Sequence, residues 1–158
     1  SDHAPHTLDE KSRDLHSTPA GAVGAETFGP VLSDAFLARA WSPTAFAELV
    51  STNSAKLYGL YPRKGCIAPG SDADFTIVDP RARTTIKNEN LVTKNPASPW
   101  NGSRLRGVPT MAILRGRVAM RDGQVVGEKR GSFVPAEHDP AVRRQLVWSE
   151  KSSQPPLR

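Results

Sequence analysis

Met111-Ala112-Ile113-Leu114-Arg115-Gly116-Arg117-Val118-Ala119-Met120-Arg121-Asp122-Gly123-Gln124-Val125-Val126 carries the clearest structural signal in the chain. Residues 111–114 and 117–121 read as strands. Asp122-Gly123 before 124–126 is the dipeptide whose turn matches the twist of paired strands, so a hairpin is expected there. Upstream, Asp74-Phe75-Thr76-Ile77-Val78 reads as another strand, which Asp79-Pro80 is expected to close because proline cannot donate to a ladder. Residues 84–87 form a weaker strand. The apolar period changes from about 3.6 to about 2 after Gly65, so a hairpin-rich β module is expected over residues 61–135.

Before that point the pattern is helical. Val31, Leu32, Ala35, Phe36 and residues 38–40 give one apolar face, and Ser42-Pro43 marks a new start, with Ser42 as cap and Pro43 at the first helical position. Phe46, Leu49 and Val50 follow at the spacing of a buried stripe. Asn53 is expected to cap a further short helix that Gly59 ends in the left-handed conformation. Residues 1–30 have little periodicity and hold three of the four histidines, so they read as a long loop of functional character. Residues 136–158 form a polar tail, expected to be mobile, with Val142, Leu146 and Val147 as anchors of a short helix.

The chain has 158 residues, 37% of them hydrophobic and 23% charged, enough for one modest core and too short for a complete (β/α)8 barrel of about 250 residues. No apolar run approaches the roughly 20 residues that span a bilayer, so no membrane role is expected. The polar start at Ser1 lacks a signal-peptide pattern and reads as a piece beginning within a longer protein. A single cysteine, Cys66, reads as a small buried or half-buried residue, and its being alone fits a reducing, cytoplasmic setting. The net charge of +5 is spread over isolated basic pairs without interleaved aromatics, which is the pattern of a solvated surface rather than of a nucleic-acid platform.

Chemistry is expected in the opening segment, where Asp2, His3 and His6 lie together and His16 follows ten residues after His6. Carboxylates and imidazoles are the usual ligands of zinc and related ions. Pro5 blocks a regular helix, so the two histidines flanking it need not share a face. The residues alone leave solvent-facing or structural histidines as the competing reading.

Several motifs in order bear on that choice. Ser1-Asp2-His3-Ala4-Pro5-His6-Thr7, with Glu10-Lys11 and then Pro19-Ala20-Gly21-Ala22-Val23-Gly24-Ala25-Glu26-Thr27, resembles the segment after the eighth barrel strand of the cyclic amidohydrolases: dihydroorotase, dihydropyrimidinase or hydantoinase, and allantoinase. Ser51-Thr52-Asn53-Ser54-Ala55-Lys56-Leu57-Tyr58-Gly59-Leu60 is similar to the last barrel helix of that family. Lys64-Gly65-Cys66-Ile67-Ala68-Pro69-Gly70-Ser71-Asp72-Ala73-Asp74-Phe75 is similar to its return into the small β-domain. Ser98-Pro99-Trp100-Asn101-Gly102, the Arg115-Gly116 step and Gly131-Ser132-Phe133-Val134 resemble its C-terminal strands, so the resemblance runs from residue 1 to about residue 135.

The resemblance implies an α/β fold class: the C-terminal end of a TIM-like (β/α)8 barrel (residues 1–60), most of a small β-sandwich (61–135) and a tail (136–158), an incomplete fold. It implies that Asp2 is both metal ligand and proton shuttle, that His6 contacts the substrate, and that the backbone of Ala20 and Gly21 contacts the ring. His3 is expected to be structural, and His16 is given no role. The implied cofactor is a divalent metal, zinc by family habit, one or two ions in the complete enzyme. The implied partners are a small cyclic amide or imide, the N-terminal barrel portion and further copies in a homo-oligomer. The family's His-x-His pair, bridging lysine and two further histidines do not occur after Asp2, so this polypeptide alone is expected to bind metal weakly and to turn over no cyclic amide. Dihydroorotase and hydantoinase activities both stay open, as does allantoinase; a catalytically silent homologue serving as an assembly subunit is the alternative from another class.

Overall fold

The computed structural model describes residues 2–128 and 131–136. The expected tail and its short helix lie outside them. Helices α1 (Leu8–Lys11), α2 (Phe28–Ala38), α3 (Pro43–Ala47) and α4 (Asn53–Leu57) precede strands β1 (Phe75–Thr85), β2 (Arg104–Leu114), β3 (Arg117–Arg121) and β4 (Gln124–Val125). The strands form one antiparallel sheet in chain order. This is a partial α/β domain. No helix among the described residues is long and apolar enough to cross a membrane.

Two tight turns build the end of the sheet. Asp122 and Gly123 take φ +50° and +79°, as the Asp-Gly pair predicts, and Arg115 and Gly116 take +49° and +74° between β2 and β3. The second turn leaves Asp74 at the head of β1 to bond the Arg115 amide at 2.7 Å, while Gly116 donates to the Ala73 carbonyl at 2.8 Å.

Asp79-Pro80 does not close β1. The register slips between Asp79 and Arg83, leaving Pro80 in a bulge where its missing N–H is harmless. The Asp79 carboxylate bonds the amides of Arg81 (2.8 Å) and Ala82 (3.3 Å), so pairing resumes and the weaker strand becomes the same strand. β2 likewise begins seven residues earlier than the sequence pattern suggests. Pro109 is tolerated because β3 pairs only with the last residues of β2, from Met111 on, and because a second bulge lies beside Pro109.

Helix α2 starts earlier than Val31 and lies on β2. Its Ser33 and Phe36 are buried with Leu105 and Gly107 of the strand. The Arg106 amide donates to Asp34 at 3.0 Å. Phe36 meets Trp41 and Phe46 edge to face, with centroids 4.6 and 4.7 Å apart, which ties α2 to the next helix. That helix begins as read, with the Ser42 hydroxyl accepting from the Ala45 amide at 3.1 Å and Pro43 in the first turn.

Asn53 is not a cap. A π-helical turn over Glu48–Thr52 joins α3 to α4 without a break, so Asn53 continues a helix already under way, and Gly59 at φ +66° lies just past its end. The added residue in that turn rotates the apolar face: Leu49 is 52% exposed, whereas Ala55 is buried against Gly65. The stripe read through Phe46, Leu49 and Val50 is therefore only half covered. Thr52 completes the seat by donating to the Gly65 carbonyl at 2.6 Å.

Lys64 anchors the connection to the sheet. Its ammonium bonds Asp72 at 2.8 Å and also pairs with Asp74, and Arg63 bonds Asp72 at 3.2 Å. Burial alone would lower the Lys64 pKa, but the bonds and charges of Asp72 and Asp74 outweigh it and hold the ammonium above its ordinary value. The Lys64 hydrogen bond, with Arg63 behind it, holds the Asp72 carboxyl below the usual range. The depressed carboxyl contributes stability above its unfolded pKa that is lost as pH falls through the folded value; the raised ammonium contributes below its unfolded pKa and is lost as pH rises through its folded one. Urea titrations below neutrality should therefore show stability falling towards acid, with a shallower fall in Asp72→Asn.

Gly107 tests the packing of helix on sheet. It sits at φ +78°, and a Cβ there would fall 2.6 Å from the Ser33 Cβ and 3.0 Å from the Leu37 Cδ1. Gly107→Ala should cost about 2–4 kcal/mol through overpacking and strained backbone, read as a lower urea midpoint with an unchanged slope.

Candidate functional site

The long opening loop folds back on itself around its small residues. The Ala4 amide donates to the Ala22 carbonyl at 2.9 Å, and Nδ1 of His3 accepts the amides of Gly24 and Ala25 at 3.2 Å each. An accepting Nδ1 places the ring hydrogen of the neutral imidazole on Nε2. His3 is thus a brace for the loop. A Cβ on Gly24 would fall 1.8 Å from the Asp2 carbonyl oxygen, so only glycine lets the two segments touch. At the far end of the loop Thr27 is fully buried, its hydroxyl donating to the Val23 carbonyl at 3.2 Å.

The loop is also tied to the segment before β2. The Glu26 carboxylate accepts the amides of Val92 (2.9 Å) and Thr93 (3.0 Å). Asn88 and Asn101 cross-brace that segment: Asn88 accepts from the Ser98 amide at 3.0 Å, and Asn101 accepts from the Asn88 amide at 2.9 Å. These bonds carry Pro99 and Trp100 to the loop, and the result is an open cleft of about 500 Å³. Asp2, Gly21, Ala22 and Gly24 form its polar side, while Phe28, Val31 and Trp100 are among its apolar walls.

Asp2 is exposed at the cleft. One of its carboxylate oxygens accepts the His3 amide at 2.8 Å, and the other makes no bond to the described residues. His6 does not line the cleft but stands beside it: a Cβ on Gly21 would come 3.5 Å from the His6 Nε2. Its Nδ1 lies 3.7 Å from a Glu10 carboxylate oxygen. Ala20 is exposed next to Gly21, and its amide and carbonyl make no bond to the described chain. Asp2 and Gly21 therefore share one cleft, with His6 and Ala20 at its edge. His16 lies apart on an exposed turn, its amide bonded to the Asp14 carboxylate at 3.0 Å.

Three further residues of this neighbourhood, Thr7, Glu10 and Lys11, hold its turn in place. Glu10 and Thr7 form a capping box that starts the single-turn helix α1: the Thr7 hydroxyl accepts from the Glu10 amide, and the Glu10 carboxylate accepts the Thr7 amide at 2.9 Å. These bonds from Thr7 hold the Glu10 carboxyl below its ordinary range, with His6 and Arg13 adding to the effect. The Thr-x-x-Glu spacing is the signal that finds this turn. Lys11, at its end, bonds the carbonyls of Pro19 and Gly21. No spacing rule foretells that contact.

Metal capacity is limited. No group of three or more histidine, cysteine, aspartate or glutamate side chains that could hold an ion occurs among the described residues. Asp2 offers a single oxygen ligand, fewer than the three protein ligands of a catalytic zinc site.

The chain is similar to known proteins over most of its length. The model of the amidohydrolase family matches residues 24–119. The chain is 40% identical over 153 residues to dihydroorotase from Pyrococcus furiosus, covering 96% of this chain and 34% of that protein. It is 35% identical over 145 residues to allantoinase from Rubrobacter xylanophilus, covering 90% of this chain and 32% of that one. A D-hydantoinase (dihydropyrimidinase) from Thermus sp. superposes with a TM-score of 0.74 at 37% identity, over 82% of this chain and 29% of that structure. The chain spans about a third of the length of the curated relatives it matches.

Gly24 gives the sharpest test of how the cleft is built. Gly24→Ala must push the Asp2 backbone away and loosen the His3 brace, so hydrogen exchange at the Ala25 amide should accelerate about tenfold, the equivalent of one modest hydrogen bond. A thermal melt beside the exchange measurement separates this local opening from general unfolding.

Proposed function

Because this chain belongs to the amidohydrolase family, we propose that it forms the C-terminal portion of a metal-dependent hydrolase that opens the C–N bond of a cyclic amide, with residues 1–60 as the end of the barrel and 61–135 as most of the small β-domain. The observation that carries this reading is the cleft in which Asp2 meets the glycine-rich loop. Asp2 is the proposed metal ligand and proton shuttle. A divalent ion, zinc by family habit, supplies an activated water and a polarised carbonyl when bound. No cluster among the described residues holds such an ion by itself, so the remaining ligands are assigned to the two-thirds of their length that the relatives carry beyond this chain.

The proposed work of this chain is proton handling and ring orientation. The unbonded oxygen of Asp2 takes a proton as the carbonyl is attacked and returns it to the departing ring nitrogen. His6 contacts the acidic or imide portion of the substrate; the Glu10 carboxylate 3.7 Å from Nδ1 favours a proton on that nitrogen, so Nε2 of the neutral ring accepts from an imide N–H and donates to a carboxylate only as the imidazolium. The Ala20 amide and carbonyl, which make no bond to the described residues, and the Gly21 amide contact the ring, where small residues allow close approach. The substrate class is a small cyclic amide or imide.

The test uses the protein at its natural length with added divalent metal, assayed against dihydroorotate, hydantoin and allantoin. Turnover of at least one ring is expected, and Asp2→Asn should abolish it by a factor of about 10³ or more, since both metal ligation and proton transfer are lost. A well-folded protein inert to all three would favour the silent assembly subunit instead.

A further inference from the structure

Lys11 is a cation that no carboxylate among the described residues neutralises. Its ammonium sits 2.7 Å from the Pro19 carbonyl and 2.6 Å from the Gly21 carbonyl, both neutral backbone oxygens, and no ion pair to it occurs among the described residues. Charge-assisted bonds of this length are among the stronger ones in a protein. The two carbonyls bracket Ala20, whose own amide and carbonyl make no bond to the described residues at the edge of the Asp2 cleft.

The base of this clamp is fixed independently. The Thr7–Glu10 capping box stabilises a helix of only four residues, and Lys11 is its last. On the other side, Gly21 is held at φ +120° against Ala4: a Cβ there would fall 2.7 Å from both the Ala4 Cβ and the Ala4 carbonyl oxygen. The stretch around Ala20 therefore has an anchor on each side. One is Ala4, through its bond to Ala22, and the other is the Lys11 ammonium.

We propose that Lys11 is a positioning residue that sets ligand affinity at the cleft, its ammonium gripping the carbonyls on either side of Ala20 so that the intervening peptide groups are offered to the ligand. This rests on the reading of Ala20 and Gly21 as ring contacts. Lys11 itself touches no reacting atom. Its loss removes order from a binding wall rather than a participant in bond cleavage, so KM should change and kcat should not.

The experiment compares Lys11→Met, which keeps most of the stem and removes the donors, with Lys11→Arg, which restores two, in the protein at its natural length. Hydrogen exchange at the Ala4 amide reports the loop directly, because that amide bonds Ala22. In Lys11→Met, exchange there should accelerate and KM should rise, each about tenfold, the equivalent of one modest hydrogen bond. kcat should stay within about twofold, and Lys11→Arg should recover both readouts. Faster exchange with unchanged KM would overturn the proposal by making the clamp purely structural. A raised KM with unchanged exchange would overturn its mechanism, and so would a fall in kcat alone. Should Lys11→Met be recovered unfolded, Lys11→Gln, with one amide donor group, is read by the same criteria. If the unsubstituted protein turns over no cyclic amide, the functional reading fails visibly, and ligand-free exchange together with calorimetric binding of the three rings decides the clamp: weaker binding in Lys11→Met supports it, and unchanged binding or unchanged exchange overturns it.

Discussion

The contact between Ser33 of α2 and Gly107 of β2 governs how the rest of the chain is arranged. A side chain at position 107 would meet Ser33 at 2.6 Å, so the missing Cβ is what lets helix and strand close on each other. The close approach buries Phe36 and Leu105 and brings Asp34 to the Arg106 amide. The consequences run towards the N-terminus. Helix α2 starts at Phe28, directly after buried Thr27, and therefore delivers the whole opening loop to a fixed place relative to the sheet. Glu26, two residues before that start, accepts the amides of Val92 and Thr93.

The elements legible in the sequence are those whose signal is local. Asp122-Gly123, the Ser42-Pro43 start and Gly59 past the helix end each follow from the conformational preference of one or two residues, and each stands where it was read. The misread elements are those that tertiary structure decides. Pro80 and Pro109 look like strand breakers, yet both fall at bulges, and the bulge at Pro80 can be satisfied only because Asp79 folds its carboxylate back onto two amides. Asn53 has the chemistry of a cap, but the π-turn before it carries the helix through. That turn in turn depends on Ala55 seating on Gly65, a contact between residues that no period links.

The cleft divides in the same way. Asp2 and His6 stand out by their closeness in the sequence, while their roles and those of Ala20 and Gly21 come from the resemblance; in the structure Asp2 and Gly21 line one cleft with His6 beside it. The bonds that hold them there were not legible. His3 accepting two amides from across the loop is a contact over more than twenty residues, and its sequence signal, an imidazole beside an acid, suggests ligation more readily than bracing. Lys11 reads in sequence as one more solvated charge, because nothing in its neighbours indicates that two carbonyls eight and ten residues away will converge on it.

The bonds on the polar side of the cleft share one property. Ala4 to Ala22, His3 to Gly24 and Ala25, and Lys11 to Pro19 and Gly21 all close within the first 25 residues, and Glu26 ties that unit to the 92–93 segment of the same chain. The wall is thus specified by short loop closures, whose entropy cost grows only slowly with length. The bonds that close it lie within the described residues of this chain. On the proposed reading of Asp2 and the Ala20–Gly21 peptide, a wall braced in this way needs little reorganisation when a ligand enters the cleft.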